Sequence, residues 1–295
     1  MEYILHLFIL ISFYTILSQS LNLISGSSGL ISLAHAGFYG IGAYVTALLS
    51  VNYGFSFWIN VPIAMGICGF VAFVVSLISL RSVNDYFIVC TLGIQVILFS
   101  LMNNLIGLTR GPFGIIGIPA ISIFGFVIVN KGSFLFISIL FMISVWYLLN
   151  NISKSGFGKS LVAVSEDEIY TQSIGKNVYK MKIISFTIGS VLAVIPGALY
   201  AHYISYIDPT SFTISESIFI LSIVIIGGMG NLRGSLYASA FMILLPELLR
   251  FIGMADNIAA NMRQIIYGLL LVIIILKNGS VIKKIVNIKL IKSPS

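Results

Sequence analysis

Within the stretch SLAHAGFYGIGAYVTALL, which runs from Ser32 to Leu49, His35, Tyr39, Gly42 and Thr46 recur at intervals of four, three and four residues. On a helix this spacing puts an imidazole, a phenol and a hydroxyl on one face with a glycine among them. Such groups can offer weak hydrogen bonds to a passing polar solute, or they can bond a neighbouring helix. In lipid they must point inward, because exposing them to hydrocarbon is costly. An adjacent face of the same helix carries Ser32, Ala36, Gly40, Ala43 and Ala47, all of them small. Lipid gives helices no hydrophobic drive to associate, so close backbone approach along small residues supplies the packing energy. The stripe reads as a helix–helix contact. Just upstream, LNLISGSSGL sets Asn22 beside Ser25, Gly26, Ser27, Ser28 and Gly29, a composition that interrupts a helix. At membrane depth an interruption is tolerated only where protein or a water-filled cavity satisfies the freed backbone. A tight turn at the membrane surface is the other reading.

The elements that hold these residues follow from composition. The 295-residue chain is 58% hydrophobic and 8% charged, with a mean hydropathy of +1.07. A soluble domain carries about 25% charged residues, so the chain reads as an integral membrane protein. Its apolar runs are near-continuous and about twenty residues long, which fits helices rather than the alternating strands of a barrel. The expected fold is an all-α, polytopic membrane bundle, one transmembrane domain over 1–295. Nine spans are expected near 3–24, 28–50, 57–80, 86–107, 133–150, 183–206, 215–231, 235–252 and 263–277. The run 215–231 is short and ends in a glycine-rich turn, so it is a candidate for a broken or re-entrant segment. The opening residues lack a basic region and carry Glu2, which favours a retained first helix over a cleaved signal peptide. Cys68 and Cys90 sit in separate apolar runs and read as buried, inert thiols.

Ten of the sixteen Lys and Arg residues fall in the loop 151–182 and in the tail from Lys277. The positive-inside rule puts both in the cytoplasm and, with five spans ahead of the loop, the N-terminus outside. Arg110 and Lys131 then land outside, against the rule. The net charge of +7 follows from this topology and does not suggest a nucleic-acid partner.

The loop 151–182 has its own signals. Ser165-Glu166-Asp167-Glu168 matches a capping box, with Ser165 as cap and Glu168 reaching back, and its acids suit the positive end of a helix dipole. Gly175 suits the left-handed position after a helix end. A helix over Glu166–Ile174, about 13 Å long, is therefore expected. By itself it could be a solvated loop helix or a docking element.

Look-alike motifs do not hold. Gly158-Lys159-Ser160 resembles the end of a phosphate loop, but Ser153 occupies the required glycine position. The glycines of Gly228–Gly234 are spaced one residue too widely for a dinucleotide turn, and they suit a tight turn between spans. No catalytic or metal-binding pattern is present, and His6, His35 and His202 are scattered. No enzyme activity and no cofactor are expected. The nine acidic residues all fall at or beyond the expected span ends. That disfavours the alternative of an ion-coupled secondary transporter of small apolar solutes, which would need intramembrane carboxylates or broken helices.

LNLISGSSGLISLAHAGFYGIGAYVTALL resembles the N-terminal signature of permease subunits of branched-chain amino acid ABC importers. YFIVCTLGIQVILFSLMNNLIGLTRGPFGIIGIP, GFGKSLVAVSEDEIYTQSIGKNVYKMKIISF, GALYAHYISYIDPTSF and IGGMGNLRGSLYASAFMILLPELLR resemble later signatures in the same order. The resemblance is to the M-type rather than the H-type permease. It implies a bacterial plasma-membrane subunit that pairs with a second permease, two cytoplasmic ATPases and an extracytoplasmic solute-binding protein. ATP chemistry would reside in the other subunits. It further implies that Ser165, Glu166, Asp167, Glu168 and Gly175 belong to an ATPase-coupling helix. His35, Tyr39, Gly42, Thr46 and Asn22 become candidates for one half of a substrate pathway. The chain departs from the pattern at Val162 and Ser165, where basic residues are common, and at Ile169-Tyr170-Thr171 ahead of Gly175.

Overall fold

α1 (Glu2–Asn22) runs into a single π-helical turn, Leu23–Ser27. The extra residue of that turn frees carbonyls from the helical ladder. Ser185 donates to the Leu23 carbonyl at 3.2 Å, and Ser28 and the Leu30 amide donate to that of Ile24 at 2.6 and 3.2 Å. A non-helical stretch over 28–34 leads into α2 (His35–Tyr53), which ends at Gly54 in the left-handed region with φ 66°. α3 (Phe57–Ser79) and α4 (Asn84–Asn104) follow. After a short α5 (Ile106–Thr109) come three two-residue strands, β1 (Ile115–Ile116), β2 (Ser122–Ile123) and β3 (Phe126–Val127). α6 (Lys131–Lys154) is capped by the Asn130 side chain. α7 (Gly156–Glu166) and α8 (Glu168–Ser173) form the loop before α9 (Val178–Leu192) and α10 (Val194–Ile204). β4 (Tyr206–Ile207) pairs antiparallel with β1, Ile115 opposite Ile207. A 3₁₀ turn, Pro209–Phe212, then precedes α11 (Ile214–Gly227) and α12 (Leu232–Phe251). This computed structural model describes residues 2–81, 84–123, 126–128, 130–251, 268, 269 and 272. The ninth expected span, 263–277, and the tail from Lys277 fall almost wholly outside these residues.

The fold is an all-α, polytopic membrane bundle. Among the described residues, five segments are long and apolar enough to cross a membrane: Glu2–Ser27, Phe57–Ser79, Tyr86–Asn104, Lys131–Lys154 and Val178–Ile204. α3, α4 and α6 turn large apolar side chains outward, among them Phe70, Val89 and Phe136, as lipid-facing helices do. α2 is instead buried along most of its length, which explains why its sequence can hold histidine, tyrosine and glycine.

α2 crosses α10 at close range. A Cβ at Gly197 would run into the Tyr39 carbonyl oxygen and lie 2.9 Å from the Ala43 nitrogen; one at Gly42 would lie 2.7 Å from the Val194 Cα. Backbone thus meets backbone, the arrangement small residues permit in membranes. Ala36, Gly40, Ala43 and Ala47 of the stripe are all buried. Gly40 faces Met102 of α4 and Phe212.

Several expected boundaries change. α2 begins at His35 rather than residue 28, so Ser32 lies off the helix, buried, with its Oγ accepting from the Ala34 amide at 3.3 Å. The expected span 183–206 begins earlier, at Val178, and is divided at Ala193. Pro196 has no N–H to give the Leu192 carbonyl, so a continuous ladder would be broken there. The expected helix Glu166–Ile174 is two helices meeting at Asp167, which is extended (φ −151°, ψ 108°). Asp167 is the cap, accepting from the Tyr170 amide at 2.9 Å, and Ser165 stays inside α7, donating to the Val162 carbonyl at 2.8 Å. Ser and Asp cap about equally well. Burial of Leu161 and Val164 carries α7 past Ser165 and decides between them. Gly175 has φ 81°, as a helix end requires. Cys68 is buried, but Cys90 is half-buried.

Gly197→Ala should destabilise the purified protein by about 2 kcal/mol or more, because the obstacle is backbone. Gly66→Ala, with nothing within 4 Å of its Cβ position, should be neutral. Thermal unfolding in detergent checks this; equal midpoints for the two variants would contradict the α2–α10 crossing.

Candidate functional site

α4 is an apolar helix with one fully buried amide, Gln95, about 17 Å along it from Asn84. Gln95 Oε1 accepts from the Gly37 amide at 2.7 Å and from Ser217 Oγ at 3.4 Å, and its Nε2 donates to the Phe212 carbonyl at 2.8 Å. Ser217 Oγ in turn accepts from the Ala36 amide at 3.0 Å, and Thr91, one turn before Gln95, accepts from the Leu33 amide at 3.1 Å. A helix start leaves amides without helical partners. Here α4 and α11 supply those partners, so α2 can begin beside the middle of α4.

The first turn of α11 lies at the same level. Tyr14 donates to Glu216 Oε1 at 2.6 Å. Tyr14 lies about 18 Å along α1 from Glu2, near the middle of the apolar segment Glu2–Ser27. Glu216 lies in the first turn of α11, as expected of an acid near a span end, but that turn sits beside the middle of α1. By sequence Glu216 sits at the edge of the run 215–231, and the connection over 208–213 carries that edge into the bundle. Phe219 stands edge-on to Tyr14, with ring centroids 5.1 Å apart. Tyr39 packs on Phe212 at 5.0 Å and on Tyr200 at 5.8 Å. Tyr200 Oη lies 3.3 Å from Ser211 Oγ, which donates to Asp208 Oδ1 at 2.8 Å. Tyr14 packs at the edge of the same apolar cluster that holds Tyr39 and Phe212. Together they form an aromatic-walled, acceptor-bearing cluster between α1, α2, α10 and α11.

The structure brings only Tyr39 of the polar α2 face to this cluster. His35 is buried, with Nε2 2.8 Å from Ser20 Oγ of α1. Gly42 lies on the Val194 backbone. Thr46 donates to the Gly42 and Ala43 carbonyls of its own helix. Asn22 ties the end of α1 to the α11–α12 turn. Its Nδ2 donates to Ser235 Oγ at 2.9 Å and the Asn231 carbonyl at 3.2 Å, and its Oδ1 accepts from the Gly230 amide at 2.7 Å. Gly228 and Gly230, at φ 90° and 84°, make that turn. Among the described residues, no three of His, Cys, Asp and Glu come together to hold a metal ion.

The α7–α8 loop is a second functional feature. The Lys182 ammonium, largely buried, pairs with the Glu168 carboxylate and so ties α8 to the first turns of α9. Ile169, Tyr170 and Ile174 point outward, 76%, 63% and 55% exposed. Glu166 ends α7, and Ser165 packs against Gly29 in the segment leading to α2, 3.3 Å from that glycine's Cβ position. By sequence Glu216 falls near a span end with no assigned role, and Gln95 and Tyr14 belong to no motif. Lone polar residues in apolar runs were the available signal.

A family model described as "Branched-chain amino acid transport system / permease component" matches residues 3–275. The high-affinity branched-chain amino acid transport system permease protein LivM of Escherichia coli (strain K12) is 33% identical over 260 residues, 80% of this chain and 61% of the relative. A probable branched-chain amino acid transport permease protein LivM of Methanocaldococcus jannaschii is 30% identical over 179 residues, 58% of this chain and 50% of the relative. The same organism's probable LivH is 27% identical over 211 residues, 66% of this chain and 64% of the relative. The chain thus spans 61% of the length of the Escherichia coli relative. No solved structure matches it.

Asn22→Ala should cost about 1–3 kcal/mol, because it leaves the Gly230 amide without its acceptor, while the Asn231 carbonyl keeps the Ser235 amide. Ser222→Ala, which removes only a bond to its own helix at Ile218, should cost under about 0.5 kcal/mol. Equal unfolding midpoints would show that Asn22 does not hold the α11–α12 turn.

Proposed function

The chain belongs to the family of branched-chain amino acid transport system permease components, and we propose that it forms one half of the membrane pathway of an ATP-driven importer for branched-chain amino acids. A second permease would supply the other half. Two cytoplasmic ATPases would power it, and an extracytoplasmic solute-binding protein would deliver substrate. In this reading the chain crosses the bacterial plasma membrane nine times, with its N-terminus outside and both the α7–α8 loop and the basic tail in the cytoplasm. The family match over residues 3–275 carries the reading. The ion-coupled alternative finds no support among the relatives.

The α7–α8 loop is the proposed coupling element. Exposed apolar side chains grouped on a surface loop suit a protein partner, and Ile169, Tyr170 and Ile174 form such a group. Asp167 caps α8, Gly175 closes it, and the Glu168–Lys182 pair passes its displacement to α9. Ser165 and Glu166, at the end of α7, would pass it through Gly29 towards α2. Of the residues on the polar α2 face, Tyr39 is assigned to the pathway itself. Asn22, His35, Gly42 and Thr46 are each closed in by protein and are assigned to shaping it from behind.

The importer reconstituted in vesicles with its partner subunits should take up leucine only with ATP. The double variant Ile169→Asp, Tyr170→Asp should retain membrane insertion, lose co-purification of the ATPases, and reduce uptake about tenfold or more. ATPase retention together with normal uptake would remove α8 as the coupling element. ATP-independent uptake would contradict the importer reading.

A further inference from the structure

Glu216 is a carboxylate at mid-bundle depth with no cation paired to it among the described residues. Among the described residues the ion pairs are Glu2–Lys131 and Glu168–Lys182, both at helix ends. Its hydrogen bond among these residues comes from the Tyr14 hydroxyl. The residue is half-buried, and its α11 neighbours Ser215 and Ile218 are exposed, so it is reached from the α1–α11 face without unpacking the core. An acid at such a depth is costly and marks a functional position when it faces a cavity or a partner subunit. Neither Asn22 nor Gln95, both buried, has this character, because backbone groups and neighbouring hydroxyls take up their hydrogen-bonding atoms.

We propose that Glu216, held by Tyr14, is the contact for the α-ammonium group of the transported amino acid. The assignment rests on the importer reading above. An ammonium group brings three donors to a carboxylate that has acceptor capacity left after Tyr14 is served. Aromatic rings close by, Tyr14 and Phe219 in edge-to-face contact and Tyr39 against Tyr200, offer faces that attract a cation as it leaves water. Ile218 and Phe219, on the same turn of α11, are apolar surfaces suited to a branched aliphatic side chain. The Tyr14 hydroxyl draws on the carboxylate charge, which keeps the contact weak enough to release, as a pathway requires.

Two measurements on the assembled importer test this. Glu216→Gln should lower leucine uptake about tenfold or more, while ATPase subunits stay bound and the binding protein still stimulates ATP hydrolysis. In the wild-type complex, millimolar leucine should slow the labelling of Glu216 by a membrane-permeant carbodiimide, read by mass spectrometry. Isocaproate, which has leucine's carbon skeleton without the ammonium group, should not. The labelling measurement decides if Glu216→Gln fails to assemble. Wild-type uptake in an assembled Glu216→Gln complex, or equal protection by leucine and isocaproate, overturns the assignment alone. A wild-type complex that takes up no leucine overturns the importer reading and the assignment with it.

Discussion

Hydrocarbon offers no water to an interrupted helix, so every amide freed by an interruption must find a protein partner. In this chain the partner is Gln95. One side-chain amide accepts from the first turn of α2 and donates to the segment that leads into α11. Those two helices can therefore begin inside the bundle instead of at its surface. Ser217 and Thr91 complete the arrangement at the Ala36 and Leu33 amides. Without these bonds the non-helical residues 28–34 and 208–213 would have no stable place in the membrane. Tyr39 and Glu216, each within one or two turns of a helix start, would lose their shared level.

Around this centre, packing depends on small residues rather than on hydrophobic drive. α2 meets α10 through Gly42 and Gly197, and α11 meets α12 through Gly227 and Gly234, where a Cβ on either residue would strike the other's backbone. Such contacts leave little room for adjustment, so displacement of one helix is passed on to the next. The route from the loop is short. Ser165 touches Gly29, and the Glu168–Lys182 pair holds α8 to α9, whose continuation α10 packs on α2. A displacement of the α7–α8 loop would thus have two physical connections to the helix that carries Tyr39.

Much of the architecture was legible in the sequence because hydropathy and helix length are local properties. α3, α4 and α6 lie close to their expected spans, and the small stripe from Ala36 to Ala47 is buried. Glycine's conformational freedom also read correctly, at Gly175 and in the Gly228–Gly230 turn. Properties set by tertiary contact were not legible. The residues ahead of His35 have apolar character but form no helix, because Thr91 and Ser32 take up their amides. Ser165 and Asp167 are equally good caps by type, and the burial of Leu161 and Val164 chose between them. The depth of Glu216 depends on how the chain turns at Pro209–Phe212, which no periodicity records. Gln95 is a single amide in an apolar run, and its role appears only when three separate segments converge on it.

Hydrogen–deuterium exchange at the start of α2 tests the dependence on Gln95 most directly. Replacing Gln95 with leucine keeps side-chain bulk but removes the shorter of the two acceptors of the Gly37 amide, which also donates to the Ala34 carbonyl at 3.1 Å, a loss of about 0.5–1.5 kcal/mol. Exchange in the peptide covering 33–38 should then accelerate severalfold. Exchange across α3, whose ladder does not involve Gln95, should stay at the wild-type rate. Unchanged protection at 33–38 in Gln95→Leu would contradict the claim that this amide anchors the two interior helix starts.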